Sequence, residues 1–281
     1  PIDPALFINH RKRLYTQLKP NSLVVLHAND IMPKSADGLL PFRQSSDLFY
    51  LSGIDQEETI LVLYPEAPDA AWKEVLFVKK TDEQIMIWEG QKYTQEEASK
   101  ASGIAHVHWL EDFPHLLHTL MTYTEHVYLN TNEHTRAVVE VETRDARFIA
   151  QCQRKYPLHQ YERLAPLMHD LRAIKLPAEV ALLQQACHIT ELGFRKLLPL
   201  VKPGVMEYEL EAALIGEFVR NRSRGFAYDP IVASGPNACV LHYMANDQPC
   251  KSGDTILLDV GAEYANYSAD MTRVVPVDGR F

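Results

Sequence analysis

Short apolar runs alternate with polar turn clusters along the first 170 residues. Segments 22–27, 48–52, 59–64 and 73–78 are rich in β-branched and aromatic residues and bounded by Pro, Gly or Asp, which predicts strands of one sheet. A helix is expected over 5–18, where Leu6, Phe7, Leu14 and Leu18 recur at roughly helical spacing. Its basic face of His10, Arg11, Lys12 and Arg13 reads as solvated. Helix formers at 94–101 and 111–122, with a short strand at 127–130, complete a mixed α/β pattern.

From residue 167 the period lengthens. Leu171, Ile174, Val180, Leu183, Ala186, Ile189 and Phe194 follow helical spacing over 167–198, with an interruption near Pro177. Proline loses nothing in a first turn and an acid suits its positive end, so Pro177, Ala178 and Glu179 open a new helix. The domain boundary is placed just before it, giving domains 1–170 and 171–281. A second helix is expected over 204–220, and the chain is strand-rich afterwards.

Composition narrows the functions available. The chain has 281 residues, 46% hydrophobic and 23% charged, as an ordinary globular protein does. Lys plus Arg at 28 against Asp plus Glu at 37 gives a net charge of −9, which argues against nucleic acid as a partner. No run reaches the roughly 18–20 apolar residues of a membrane span, and the N-terminal segment has no secretory apolar core. Cys152, Cys187, Cys239 and Cys250 are scattered without a CxxC pair, which fits a reduced, cytoplasmic protein.

The chemistry concentrates in TILLDVGAEYANYSADMTRVVPV, residues 255–277, where two apolar runs flank a polar turn and each carries an aspartate. A turn centred between Tyr264 and Ala265 sets Asp259 opposite Asp270, with Cβ atoms about 5 Å apart on one face. Ionised carboxylates that close repel, and desolvating them is costly unless one holds a proton or a cation lies between them. Ile256, Leu257 and Leu258 on one side, and Val274, Val275 and Val277 on the other, argue that the strands lie in a core. That keeps a metal site level with a hairpin of solvated acids. An oxygen-rich centre suits manganese, magnesium or zinc.

Upstream, Ser234, Gly235, Pro236 and Asn237 mark a loop, and a short strand after it delivers His242. Its imidazole can ligate a metal, accept a proton or bind a carbonyl oxygen, or simply be satisfied by a backbone carbonyl. Cys239 lies three residues away, on the opposite strand face, so the two do not form a nucleophile pair. GxxxxGK, GxSxG and GxGxxG are all absent.

FAYDPIVASGPNACVLHY at 226–243 and KSGDTILLDVGAEYANYSADMTRVVPVDGRF at 251–281 strongly resemble the first half of the catalytic domain in the pita-bread metallopeptidases. These are the Xaa-Pro aminopeptidases, or aminopeptidases P, and their prolidase relatives. RAIKLPAEVALLQQACHIT at 172–190 resembles the helix that opens that domain. DGLLPFRQSSDLFYLSGI at 37–54 and IMIWEGQ around Trp88 resemble the aminopeptidase branch's N-terminal domain.

The resemblance implies a fold class of α/β (α+β). A mixed-sheet domain of creatinase/aminopeptidase P type, serving assembly and substrate access, would precede half of a pita-bread domain. It makes Asp259 a ligand of one metal, Asp270 a bridge between two, and His242 a group that handles substrate. Tyr228 would line the same pocket. Trp88 would reach from one subunit toward another's active site, the alternative being a core aromatic on a strand. Arg43 and Asp47 match signature positions and read as part of an internal ion pair.

Two divalent ions, taken as Mn2+, are the implied cofactors. The partners are peptides with proline second and further copies of the chain in a homo-oligomer. Prolidase activity and a metal-free binding module are the alternatives. The family's remaining ligands, a histidine in an HxxGHxxG-like stretch and two glutamates, have no match here. On this reading the 281-residue chain is truncated and inactive alone. His106, His108, His115 and His118 offer suggestive spacings but no matching acid and read as surface groups, and His188 with Glu191 as a solvated pair.

Overall fold

The computed structural model describes residues 2–280. Two compact units divide between Ile174 and Lys175.

The first unit runs α1 (Pro4–Tyr15), β1 (Ser22–His27), β2 (Pro33–Ser35), β3 (Gly38–Leu39), α2 (Ser46–Ser52), β4 (Ile60–Leu63) and β5 (Glu74–Val78). It continues with α3 (Glu83–Glu89), α4 (Gln95–Ser102), β6 (His106–Trp109), α5 (Phe113–Met121), β7 (His126–Leu129), α6 (Arg144–Lys155), β8 (Gln160–Arg163) and α7 (Ala165–Ala173). Six strands form one mixed sheet in the order β6-β5-β4-β1-β7-β8. Central β1 is buried along its whole length and serves two cores. Val24 and Leu26 pack with residues of α1, α2, α4 and α7, while Leu23 and Val25 pack with α5 and α6.

Two expectations fail in this unit. Segment 48–52 belongs to helix α2, not to a strand. The Ser45 side chain accepts from the Leu48 N–H, Asp47 lies in the first turn, and Gly53 ends the helix at φ 69°. Caps at both ends outweigh the strand propensity of Phe49 and Tyr50. The basic face of α1 is also not simply solvated, because His10 and Arg11 are fully buried.

Arg11 Nη1 donates to the carbonyls of Leu51, at 2.7 Å, and Ser102, at 3.1 Å. These lie in the last turns of α2 and α4, where carbonyls lack helical partners and the dipole is negative. An ion pair with Glu74 at 3.0 Å completes the cluster. Asp47 pairs with Arg172 of α7 at 2.8 Å and accepts from Asn130 at 2.8 Å, fixing α2 against the sheet's edge of loops.

The second unit contains α8 (Pro177–Leu197), α9 (Glu207–Arg220), β9 (Ile231–Ser234), β10 (Thr255–Val260), β11 (Glu263–Tyr264), β12 (Tyr267–Ser268) and β13 (Met271–Pro276). Glu179 accepts from the Leu176 N–H at the start of α8, as the Pro-Ala-Glu opening requires. The two helices approach closely at Gly193, where a Cβ would lie 2.4 Å from the Phe218 ring. Strand β10 is central in the order β13-β10-β9. Its Ile256, Leu258 and Val260 pack with Ile189, Leu210, Leu214 and Phe218 of the helices.

The opposite face of β10 carries Leu257 and Asp259, both half-buried. Strand β13 is an edge strand with Thr272, Arg273 and Val274 exposed, so the expectation that both strands lie in a core holds only for β10. The apolar residues after Asp270 therefore do not all report burial: Val277 is enclosed, while Val274 is 46% exposed.

Candidate functional site

The hairpin register pairs Asp259 with Thr272, not with Asp270. Its tip is Ala265–Asn266, with φ of 51° and 66°, between the paired Tyr264 and Tyr267. A two-residue turn with both φ positive matches the twist of the strands, and asparagine tolerates that conformation. The turn therefore sits one residue later than expected.

Asp270 remains on the face of Asp259, because it is two residues from Thr272. The acids are diagonal neighbours, for which about 7–8 Å separates the backbone positions. Continuing the register brings Gly261 across from Asp270. A Cβ on Gly261 would lie 1.8 Å from the Ala269 carbonyl oxygen, so only glycine allows this approach.

Tyr228 joins the two acids. Its hydroxyl lies 2.7 Å from Asp259 Oδ1 and 3.1 Å from Asp270 Oδ1. Burial first, and then the hydrogen bonds and charges of the two carboxylates, raise the phenol pKa and keep the proton on oxygen. One proton thus serves two acceptors. Neither acid forms an ion pair among the described residues.

Two carboxylates sharing one donor, with no cationic side chain, form the oxygen-rich donor set that a hard or borderline divalent ion takes. Among the described residues no group of three or more His, Cys, Asp or Glu could hold a metal. The pair fits as part of a coordination sphere, not as the whole of one.

His242 is exposed, in a turn after the 3-10 helix Gly235–Cys239, and not on a strand. Gly235 at φ 54° followed by Pro236 ends β9 before a second strand can form. His242 makes no hydrogen bond to either acid among the described residues. Cys239 is exposed in the same turn region, so opposite strand faces are not what separates it from His242.

Trp88 lies on helix α3, 77% exposed beside Ile87, so it is not a core aromatic on a strand. His106, His108, His115 and His118 are exposed. His188 and Glu191 are exposed and 3.7 Å apart. Sequence reasoning missed Glu207 and Asn246, both buried beside the His242 turn. An acid in the first turn of a helix is ordinary dipole compensation and carries no signal of burial.

Residues 7–128 match the family described as Aminopeptidase P, N-terminal domain, and residues 181–281 match Metallopeptidase family M24. The chain thus carries an aminopeptidase P N-terminal domain followed by a partial M24 metallopeptidase domain. It is 32% identical to a Xaa-Pro aminopeptidase of Haemophilus influenzae over 275 residues, 98% of this chain and 61% of that protein.

The structure resembles Pseudomonas aeruginosa aminopeptidase PepP with a TM-score of 0.88 at 31% identity, over 100% of this chain and 63% of that one. It also resembles Escherichia coli aminopeptidase P in complex with substrate, with a TM-score of 0.85 at 32% identity, over 100% and 64%. The chain therefore spans about three fifths of the curated aminopeptidase P relatives it matches, 61% and 62% of the bacterial ones.

Proposed function

We propose that the whole protein is a metal-dependent exopeptidase that releases the N-terminal residue from peptides with proline at the second position. The observation that carries this reading is the placement of Asp259 and Asp270 on one sheet face, linked through the Tyr228 hydroxyl within an M24 domain. Asp259 would hold one divalent ion and Asp270 would bridge two, with manganese as the ion expected. When bound, such ions supply Lewis acidity toward the scissile carbonyl and activation of water.

The chain's own residues do the rest. Tyr228 keeps its proton between the carboxylates and orients them. His242 donates a hydrogen bond to the carbonyl oxygen as charge develops there. Trp88, exposed with Ile87 on α3, supports a contact with another copy of the chain in a homo-oligomer. Four free cysteines fit a reducing compartment such as the cytoplasm. No described helix is long and apolar enough to cross a membrane.

The match to the aminopeptidase P N-terminal domain weighs against prolidase, and two acids without a cationic partner weigh against a metal-free binding module. The test is the whole natural protein, loaded with manganese, on a Xaa-Pro tripeptide and a Xaa-Pro dipeptide. Release of the first residue from the tripeptide is expected. Cleavage of the dipeptide alone would make it a prolidase, and a manganese-loaded protein inert toward both would end the peptidase reading.

A further inference from the structure

Glu207 opens α9 with a fully buried carboxylate. Oε1 accepts from both the N–H and the Oγ–H of Ser234, each at 2.7 Å. Oε2 accepts from the Tyr243 hydroxyl at 2.8 Å and the Gln248 N–H at 3.0 Å. Its backbone N–H also donates to the Gln248 carbonyl at 3.1 Å. No ion pair balances this charge among the described residues. The four donors and the positive end of α9 hold it instead.

Those donors are not scattered. Ser234 begins the 235–248 loop, Gln248 ends it, and Tyr243 is the residue next to His242. One carboxylate therefore pins both feet of the loop and a point beside its imidazole. Asn246 adds a second clamp one helical turn along α9. Its Oδ1 accepts from the Val232 N–H at 3.0 Å, and its Nδ2 donates to Glu211 at 2.9 Å and to the Pro230 carbonyl at 3.0 Å. Between these clamps the loop has little core of its own, with Leu241 88% exposed and Val240 and Met244 about half exposed.

We infer that Glu207 is a positioning residue that sets His242 against the Asp259–Asp270 face by holding the 235–248 loop through Ser234, Tyr243 and Gln248. A carboxylate suits this task because it accepts on both oxygens. Glutamine has the same shape, yet its NH2 would face two donors in place of an acceptor, so one half of the clamp must open. Burial and the Glu207 hydrogen bond push the Tyr243 phenol up to about 12, which keeps it a donor at neutral pH. The inference rests on the proposal that His242 acts on substrate.

The experiment compares Glu207→Gln, Tyr243→Phe, His242→Ala and the double variant Glu207→Gln/His242→Ala in the whole manganese-loaded protein. Hydrogen exchange in Glu207→Gln should quicken about tenfold or more across 234–248, with α8 unchanged and bound manganese retained. Tyr243→Phe, which removes one donor and keeps the charge satisfied, should show a smaller change. If Glu207→Gln lowers kcat about tenfold to a hundredfold with KM little moved, the double variant should lose no more than His242→Ala alone.

Unchanged exchange at 234–248 in both Glu207→Gln and Tyr243→Phe would overturn the inference, as would losses that multiply in the double variant. Full activity in His242→Ala would instead sink the parent reading of His242. The exchange data would then still decide whether Glu207 holds the loop.

Discussion

Arg11 in the first unit is a buried charge, the Asp259–Asp270 pair in the second is a half-buried acid beside an exposed one, and the chain treats them in opposite ways. Arg11 is fully enclosed, with two helix-end carbonyls and Glu74 arranged around its guanidinium. The acids stand on the uncovered face of a three-stranded sheet and share a single phenol proton. A charge whose partners are supplied by the fold stabilises it. A charge pair left short of partners marks a candidate site, one that a further group could complete.

Substitution should expose the difference with opposite signs. In the whole protein, Asp259→Asn should lower kcat/KM on a Xaa-Pro peptide by about three orders of magnitude, the several kcal/mol that metal polarisation supplies. Bound manganese should fall with it, while the metal-free urea midpoint holds or rises because a repelling charge is gone. Arg11→Met should instead cost about 3–5 kcal/mol in urea unfolding, since Glu74 and two carbonyls lose their buried partner. Replacing Glu74 with Leu as well should recover much of that loss. If Arg11→Met is neutral, or if Asp259→Asn unfolds the chain, the contrast collapses.

The sequence was legible where period and composition determine structure, and opaque where partners come from afar. The strands at 22–27, 59–64 and 73–78, the helix break at Pro177, and the shared face of Asp259 and Asp270 follow from local spacing. Helix α2 was missed because its apolar run looks like a strand until Ser45 and Gly53 are weighed as caps. The turn sits one residue later than expected, and the pairing shifts by two, because Ala265 and Asn266 take a left-handed conformation that charge and hydropathy do not encode. Arg11 was read as solvated because the carbonyls that hold it lie 40 and 91 residues away. Glu207 was invisible for the same reason, its donors lying 27 to 41 residues downstream.

His27 and Asp145 sharpen the comparison inside the first unit, since they lie 3.8 Å apart and the buried His27 Nδ1 has no hydrogen-bond partner among the described residues. Burial, reinforced by Arg144, holds His27 down to about 3. Burial, reinforced by the charges of Asp30 and Asp47, pushes Asp145 up to about 7. Between about pH 3 and 6.5 the unfolded chain binds a proton at His27 that the folded chain does not, so this residue makes stability rise with pH. Between about pH 4 and 7 the folded chain keeps a proton on Asp145 that the unfolded chain releases, so that residue makes stability fall with pH.

The two slopes nearly cancel in the native chain. Relative to it, Asp145→Asn should gain stability as pH rises and His27→Phe should lose it, each by up to about 1.4 kcal/mol per pH unit. Urea unfolding between pH values of about 4.5 and 6.5 reads both slopes. Parallel slopes in the two variants would show that the pair does not titrate oppositely.

The smallest expected effect on stability belongs to Trp88, an exposed apolar side chain in the same unit. At 77% exposure its ring contributes little to the core, so Trp88→Ala should move the unfolding free energy by no more than about 0.5 kcal/mol. Phe77→Ala, which empties a fully buried position in the sheet, should cost about 3–5 kcal/mol by the same assay. If Trp88→Ala leaves unfolding alone yet lowers peptidase activity in the whole protein, the ring is an unsatisfied apolar group completed by something beyond its own unit. It would then be the apolar counterpart of the two acids. A loss of stability comparable to that of Phe77→Ala would place Trp88 with Arg11, among the groups whose partners the chain already provides.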